Sequence, residues 1–506
     1  AIETLKLTTS IRKEVQKGPL DTQRERELDE LEKRIRDALH QQHYGPQLVD
    51  DCIRAAILAR SLERPSTEID ARFLRAERVS AKYGTLHQRV ECAYQRAWTA
   101  FWWHEDYDLF TKLYSAVEAL AKGSRNAYDL ELLTNLWFLL HSAFHRSELD
   151  EEAANYKERT ATLIAELKRL SDEQSRPSTS LQAETLLLLV LLALRITSQE
   201  PLDSVLHELQ TVVRRCEGLV GYPLEPLVEI LMELGNFLND VPAYEELFET
   251  IIEVVGSRKE EVSAARMLLK RGAQQLAANR PYDAIRSLGR ALHRLYKHES
   301  RHDLVRALYL CGCAYERVGL LWAARGTLLT AASVATDEYW RYGDVTLPQA
   351  ACYRRLKWLE LQLGRLPHAL SWHEADTLVR NALAAQGYNW EHLSGGELEF
   401  DAVLGLLLLK TDFWELKHLS TLPDVLDGLG LHNSAVALRY ALGYEDEVPK
   451  EYLGVEDEHE GGALYDFFLR WRNQPAAEDL AATPLLYNKS KITFNSSVLG
   501  CRITVE

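Results

Sequence analysis

Residues 261–297 read EVSAARMLLKRGAQQLAANRPYDAIRSLGRALHRLYK, and residues 303–336 read DLVRALYLCGCAYERVGLLWAARGTLLTAASVAT. Set Gly272 against Gly312 and the two stretches align without a gap: Leu268 with Leu308, Ala284 with Ala324, Leu288 with Leu328, Ala291 with Ala331. Self-similarity at a period of about 40 residues marks a repeat architecture. The offsets have a mechanical meaning. Two antiparallel helices approach closely only where small residues sit at the contact, here Gly272 and Ala284 in one unit and Gly312 and Ala324 in the next. The large residues at 268/288 and 308/328 then fill the space between hairpins, as dense interior packing requires.

A third stretch, ACYRRLKWLELQLGRLPHALSWHEADTLV (351–379), keeps Gly364 and Ala369 in phase with Gly319 and Ala324 but puts Lys357 where glycine belongs. This pattern resembles the tetratricopeptide repeat, with its large residue, Gly or Ala four on, an aromatic three further, and a later small–large–small trio. Tyr315 supplies the aromatic in the second unit, and Gln275 stands there in the first. Degenerate units follow the same spacing at Ala97, Leu109, Leu113 and Ala116, at Trp137, Phe144 and Ala153, and at Gly235 and Leu238, with unit lengths of about 37–45 residues. Long, irregular units of this kind are similar to the sensor arms of large bacterial signal-transduction NTPases and related multidomain effectors.

The resemblance implies an all-α, right-handed α-solenoid of about ten or eleven hairpins, whose first helices line a concave groove. Carried onto this chain, the groove positions are Arg306, Tyr309, Cys313, Glu316 and Arg317 in the second unit, then Arg354, Trp358, Leu361 and Gln362 in the third. A face bearing Tyr, Trp and Arg has the composition of interaction hot spots. The family's chaperone-tail binders clamp a terminal carboxylate with Lys and Asn. Those places hold Leu269, Tyr309, Ala273 and Cys313 here, which argues against that ligand. The competing reading is that this face packs against other parts of the same chain.

Composition agrees with a helical chain. Of 506 residues, 46% are hydrophobic and 26% charged, while Gly and Pro number only 26 and 15. The 59 basic and 75 acidic residues leave a net charge of −16, which argues against a nucleic-acid partner. The longest apolar run, Leu186–Leu194, is about half of the ~20 residues a spanning helix needs, and the opening AIETLKLTTSIRKEV has no secretion-signal pattern. Seven cysteines, at 52, 92, 216, 311, 313, 352 and 501, lack zinc or thioredoxin spacing and read as buried thiols of a cytoplasmic protein.

Punctuation divides the chain into N-terminal hairpins (1–175), middle repeats (181–260), the recognisable repeats (261–388), C-terminal helices (397–485) and a strand–turn–strand at 486–506. Asp21–Gln42 reads as an amphipathic capping helix through Leu28, Leu31, Ile35 and Leu39, and Thr67 with Asp70 as a helix start. Acidic clusters stand at Glu445–Glu447 and Glu456–Glu460. The short C-terminal β-hairpin either packs on the last helices or opens a further domain beyond Glu506.

No motif carries catalysis: there is no GxxxxGK phosphate loop, no GxSxG elbow and no HExxH helix. His141 and His145, with Glu148, have a chelating spacing but no third ligand, and His373–Glu374 lacks a second histidine. The basic stretch ALHRLYKHESRHD reads as surface or structural, and Trp98, Trp102, Trp137, Trp322 and Trp358 as packing between hairpins. The expectation is therefore a non-catalytic scaffold with no cofactor and no metal. It would recognise a protein or peptide as the sensing or assembly arm of a larger cytoplasmic bacterial regulatory or defence system, with homo-oligomer formation left open. The alternative is the helical regulatory part of a hydrolase or nuclease whose catalytic domain follows Glu506.

Overall fold

The computed structural model describes residues 19–173, 175–219, 221–238, 241–258, 261–296, 300–343, 345–389, 396–409, 420–442 and 444, and the backbone of 486–488, 491–498 and 501–505. Two compact units divide the chain, Ala1–Met267 and Leu268–Glu506.

The first unit is a succession of helices: α1 (Pro19–His40), α2 (Pro46–Ser61), α3 (Ser66–Tyr83), α4 (Leu86–Trp102), α5 (Tyr107–Ala121), α6 (Ala127–His145), the short α7 (Glu151–Ala154), α8 (Tyr156–Ser171), α9 (Pro177–Ser198), α10 (Asp203–Cys216), α11 (Leu224–Leu234) and α12 (Pro242–Arg258). Successive helices pack as pairs, α2 on α3, α4 on α5, α8 on α9. The connections between them are a few residues long, which makes them antiparallel hairpins. α1 buries Leu28, Leu31 and Ile35 against α2 and leaves Leu39 exposed. α3 begins at Ser66 after an N-cap, Pro65, that lies two residues before the expected cap Thr67, and without a side-chain cap. A true capping box forms instead at α4, between Thr85 and Gln88. α9 is long and apolar enough to cross a membrane by length and composition alone. It packs against α6, α8 and α10 and buries Leu186–Val190 and Leu192.

The second unit continues with α13 (Glu261–Ala277, which begins seven residues before the unit boundary), α14 (Pro281–Arg294), α15 (Arg301–Arg317), α16 (Leu321–Tyr342), α17 (Leu347–Gln362), α18 (Leu366–Ala385), α19 (Glu397–Leu409), α20 (Leu422–Gly428) and α21 (His432–Leu442). Ala284, Leu288, Ala291, Ala324, Leu328 and Ala331 have no exposed surface. A Cβ placed on Gly272 would stand 2.6 Å from Leu288 Cγ, and one on Gly312 would stand 2.6 Å from Leu328 Cγ. The same residue pair thus makes the same close approach in consecutive units, so the chain is a helical repeat array here. Gly319 and Gly364 take positive φ, 75° and 68°, at the turn that closes each hairpin, where a side chain is strained.

The expected short C-terminal β-hairpin is not supported as part of the fold: the described elements up to residue 444 are all helices. Only the backbone segments β1 (Leu486–Asn488), β2 (Lys491–Val498) and β3 (Cys501–Val505) pair there, antiparallel in the order β1-β2-β3. The acidic clusters at 445–447 and 456–460, and residues 445–485 of the expected C-terminal helices, lie outside the described residues.

Candidate functional site

Helices α15 and α17 of the second unit carry the sequence-derived groove positions, and three of these, Glu316, Arg317 and Gln362, are engaged in bracing between helices. Arg355 Nε donates to Glu316 Oε2 at 2.7 Å, and Gln362 Nε2 donates to Glu316 Oε1 at 3.3 Å. Arg317 donates to the Leu276 carbonyl of α13. Glu316 is therefore a cross-brace between α15 and α17. Tyr309 is half-buried, and burial pushes its hydroxyl up to about 12, so it stays a neutral phenol. Arg306 is exposed and so is the edge of Arg317, while Tyr315 is partly buried beside Cys311.

Arg354 and Trp358, both partly buried, have partners of their own. Trp358 packs edge-on against Phe400 of α19 at 5.3 Å between centroids, within the apolar cluster of Leu361, Ala369, Leu404 and Leu408. Leu361 is itself buried there. Arg354 Nε lies 3.9 Å from Asp376, a residue with no exposed surface. The reason is the sequence departure at Lys357. With Gly364 matched to Gly319, the nesting trio Gly312, Leu328 and Ala331 becomes Lys357, His373 and Asp376, and Ala335 becomes Arg380.

The third hairpin thus replaces an apolar contact with buried charge. Lys357 Nζ lies 3.1 Å from Asp376 Oδ2 and 2.5 Å from Glu397 Oε1, and 4.9 Å above the Phe400 ring. Arg380 reaches Asp376 at 3.3 Å and Glu397 at 3.0 Å. His373 stacks on Phe400 and its Nε2 donates to the Leu429 carbonyl at 3.0 Å, leaving Nδ1 3.5 Å from Glu397. Burial, with Lys357 and Arg380 beside it, holds His373 below the usual histidine range. Glu397 is also held low: burial acts to raise it, but Lys357, Arg380 and His373 together outweigh that. Ion pairs this deep add little net stability but are costly to break singly, because a lone buried charge remains. Of this cluster the sequence singles out Lys357 and His373 but not Asp376, Arg380 or Glu397; charged residues at the apolar repeat positions are its signal.

The histidine pair at 141 and 145 is no chelate. His141 Nδ1 lies 2.7 Å from Tyr156 Oη and Nε2 lies 2.9 Å from Thr197 Oγ1, so both nitrogens are occupied by hydroxyls. Among the described residues no cluster of His, Cys, Asp and Glu has metal-binding geometry. Cys52, Cys92, Cys216, Cys311 and Cys352 are buried cysteines outside any disulfide. Trp137 is fully buried and Trp98 and Trp102 pack on the same core, whereas Trp322, expected as packing, is 62% exposed.

No protein-family model and no curated protein matches the chain. Among solved structures it is similar to a Rap protein complexed with competence and sporulation factor, at 13% identity over 76% of this chain and 96% of that one, with a TM-score of 0.28. It is also similar to a circular tandem repeat protein with novel repeat topology, at 16% identity over 87% of this chain and 97% of that one, with a TM-score of 0.24. At these TM-scores neither likeness bears on fold or function.

Proposed function

We propose that this chain is a non-catalytic protein- or peptide-recognition scaffold, a right-handed helical solenoid serving as the sensing or assembly arm of a larger cytoplasmic bacterial regulatory or defence system. The observation that carries the reading is the repeated nesting of Leu288 on Gly272 and Leu328 on Gly312. Stacked hairpins built this way expose a ladder of first helices as an extended surface. On that ladder Glu316, Arg355, Gln362 and Arg317 are spent on bracing, which leaves Arg306 and Tyr309 as the contact-making pair. Trp358, partly buried, is engaged by its packing on Phe400.

The test is capture of a partner from host extract by the immobilised protein, identified by mass spectrometry, against the double variant Arg306→Glu with Tyr309→Ala. Capture is expected to fall by at least about tenfold, the scale of losing a hot spot, with helical circular dichroism unchanged. Undiminished capture by that variant removes the assignment of this face.

A further inference from the structure

The turn edge of the second unit holds an arrangement that the fold does not use. Trp322, in the first turn of α16, is 62% exposed, beside Leu320 at 50%. Its ring centroid lies 5.9 Å from the Arg325 guanidinium carbon and 5.7 Å from that of Arg365 in the α17–α18 turn. Both guanidinium groups are fixed from below by one carboxylate: Arg325 Nε donates to Glu360 Oε1 at 2.8 Å, and Arg365 Nε stands 2.9 Å from Glu360 Oε2. Glu360 has no exposed surface. The unit before it places Tyr282, 72% exposed, at the position equivalent to Trp322.

Three physical points follow. A cation over an indole face is attracted to it, so the ring and the two arginines hold one another in place. Groups ordered before binding lose little entropy when a partner arrives. The charge does not cancel either, since two guanidinium groups share a single carboxylate. The basic, aromatic edge of Trp322, Arg325 and Arg365 is locally complementary to an acidic segment. A polynucleotide carries a charge on every phosphate, so it needs a longer basic track than two arginines and meets the net charge of −16 more strongly than a short acidic segment does.

We propose that the edge formed by Trp322, Arg325 and Arg365 docks an acidic protein segment that lays an aromatic side chain against Trp322 and its carboxylates against the two arginines. This rests on the scaffold reading above but uses a different surface from the first-helix face.

The experiment is fluorescence anisotropy of the full chain with a labelled synthetic peptide of Glu and Asp around a single Phe. Its comparators carry Lys in place of every acid, or Ala in place of Phe. The acidic Phe peptide is expected to bind, the Lys peptide not to, and the Ala peptide to bind more weakly. Trp322→Ala should weaken binding by at least about tenfold and Arg365→Gln by at least about threefold, while Arg306→Glu changes it by less than about twofold. Trp322 is exposed, so its removal leaves the helical circular dichroism intact. Wild-type binding by Trp322→Ala overturns the edge; if Arg306→Glu then abolishes binding, the first-helix face survives and only this inference falls. Equal binding of the Lys peptide, or no binding of the acidic one, overturns the partner class. Tighter, Trp322-dependent binding of a single-stranded oligonucleotide does so as well.

Discussion

Two glycines set the hairpin geometry at the residue scale. A methyl on Gly312 would overlap Leu328 at 2.6 and 2.9 Å, and Leu328 has no exposed surface into which to retreat. Alanine gains about 1 kcal/mol of helix propensity over glycine, but overpacking a full core costs about 1–3 kcal/mol. Gly312→Ala should therefore destabilise by about 1 kcal/mol, and Leu328→Ala alone by about 2–5 kcal/mol. The two share one space, so the double variant should cost clearly less than the sum, read from urea midpoints in a double-mutant cycle. Additive losses would show that the Gly–Leu pair is not a contact. Lys357 occupies the equivalent place with a charge. Lys357→Met strips Glu397 and Asp376 of their shared cation while Arg380 remains, and should cost about 3 kcal/mol or more. A near-neutral outcome would mean the carboxylates are not held by Lys357.

Helices placed in register create two titrating devices at the scale of the element. Thr197 Oγ1 donates to the Ala193 carbonyl, so His141 Nε2 must be the donor to Thr197, and Tyr156, a neutral phenol whose hydroxyl burial pushes up to about 12, donates to Nδ1. Protonating Nδ1 removes the acceptor for the Tyr156 hydroxyl and forces that bond to reverse. Burial, and His145 stacked edge-on at 4.5 Å, push His141 down to about 4. His373, facing Lys357, Arg380, Glu397 and the Leu429 carbonyl, is shifted in the same direction. A histidine whose folded pKa lies below its unfolded value near 6.5 binds protons preferentially when unfolded, so its stability contribution is intact above that pH and declines as pH falls below it. Glu397, held low, adds a further loss below about 4.5, its ordinary value. The urea midpoint should fall between pH 7 and pH 5. His141→Gln with His373→Gln, neutral at every pH, should flatten that fall while altering the pH 7 midpoint little. An unchanged slope would place the titration elsewhere. None of this was visible from spacing: His141 and His145 four apart on a helix look like a chelate until Tyr156 and Thr197, distant in sequence, are seen to occupy both nitrogens.

For the whole molecule, the part legible in the sequence is the part governed by local period. Gly272, Gly312 and their leucines announce helix pairing because a small–large exchange at fixed spacing has one packing solution. The N-terminal helix was readable for the same reason, through Leu28, Leu31 and Ile35. Long-range pairing was not readable. Trp358 carries the same composition signal whether it faces solvent or Phe400, and only the position of α19 decides. In a repeat array stability is close to a sum of units and their neighbour contacts, so the effect of truncation depends on which contact is cut. The unit boundary at Met267/Leu268 falls inside α13, whose later turns supply Gly272 to Leu288, Gln275 Oε1 to the Ser287 hydroxyl at 2.8 Å, and the Leu276 carbonyl to Arg317. A fragment 261–444 keeps all three contacts, and a fragment 278–444 loses them while exposing the apolar face of α14. The first should retain cooperative urea unfolding and full helical ellipticity at 222 nm. The second should lose more ellipticity than the missing α13 residues account for, because α14 keeps α15 but loses the α13 surface on which Leu288 nests. If both fragments unfold with the same midpoint, α13 does not cap the repeat, and the nearest-neighbour account of this unit is wrong.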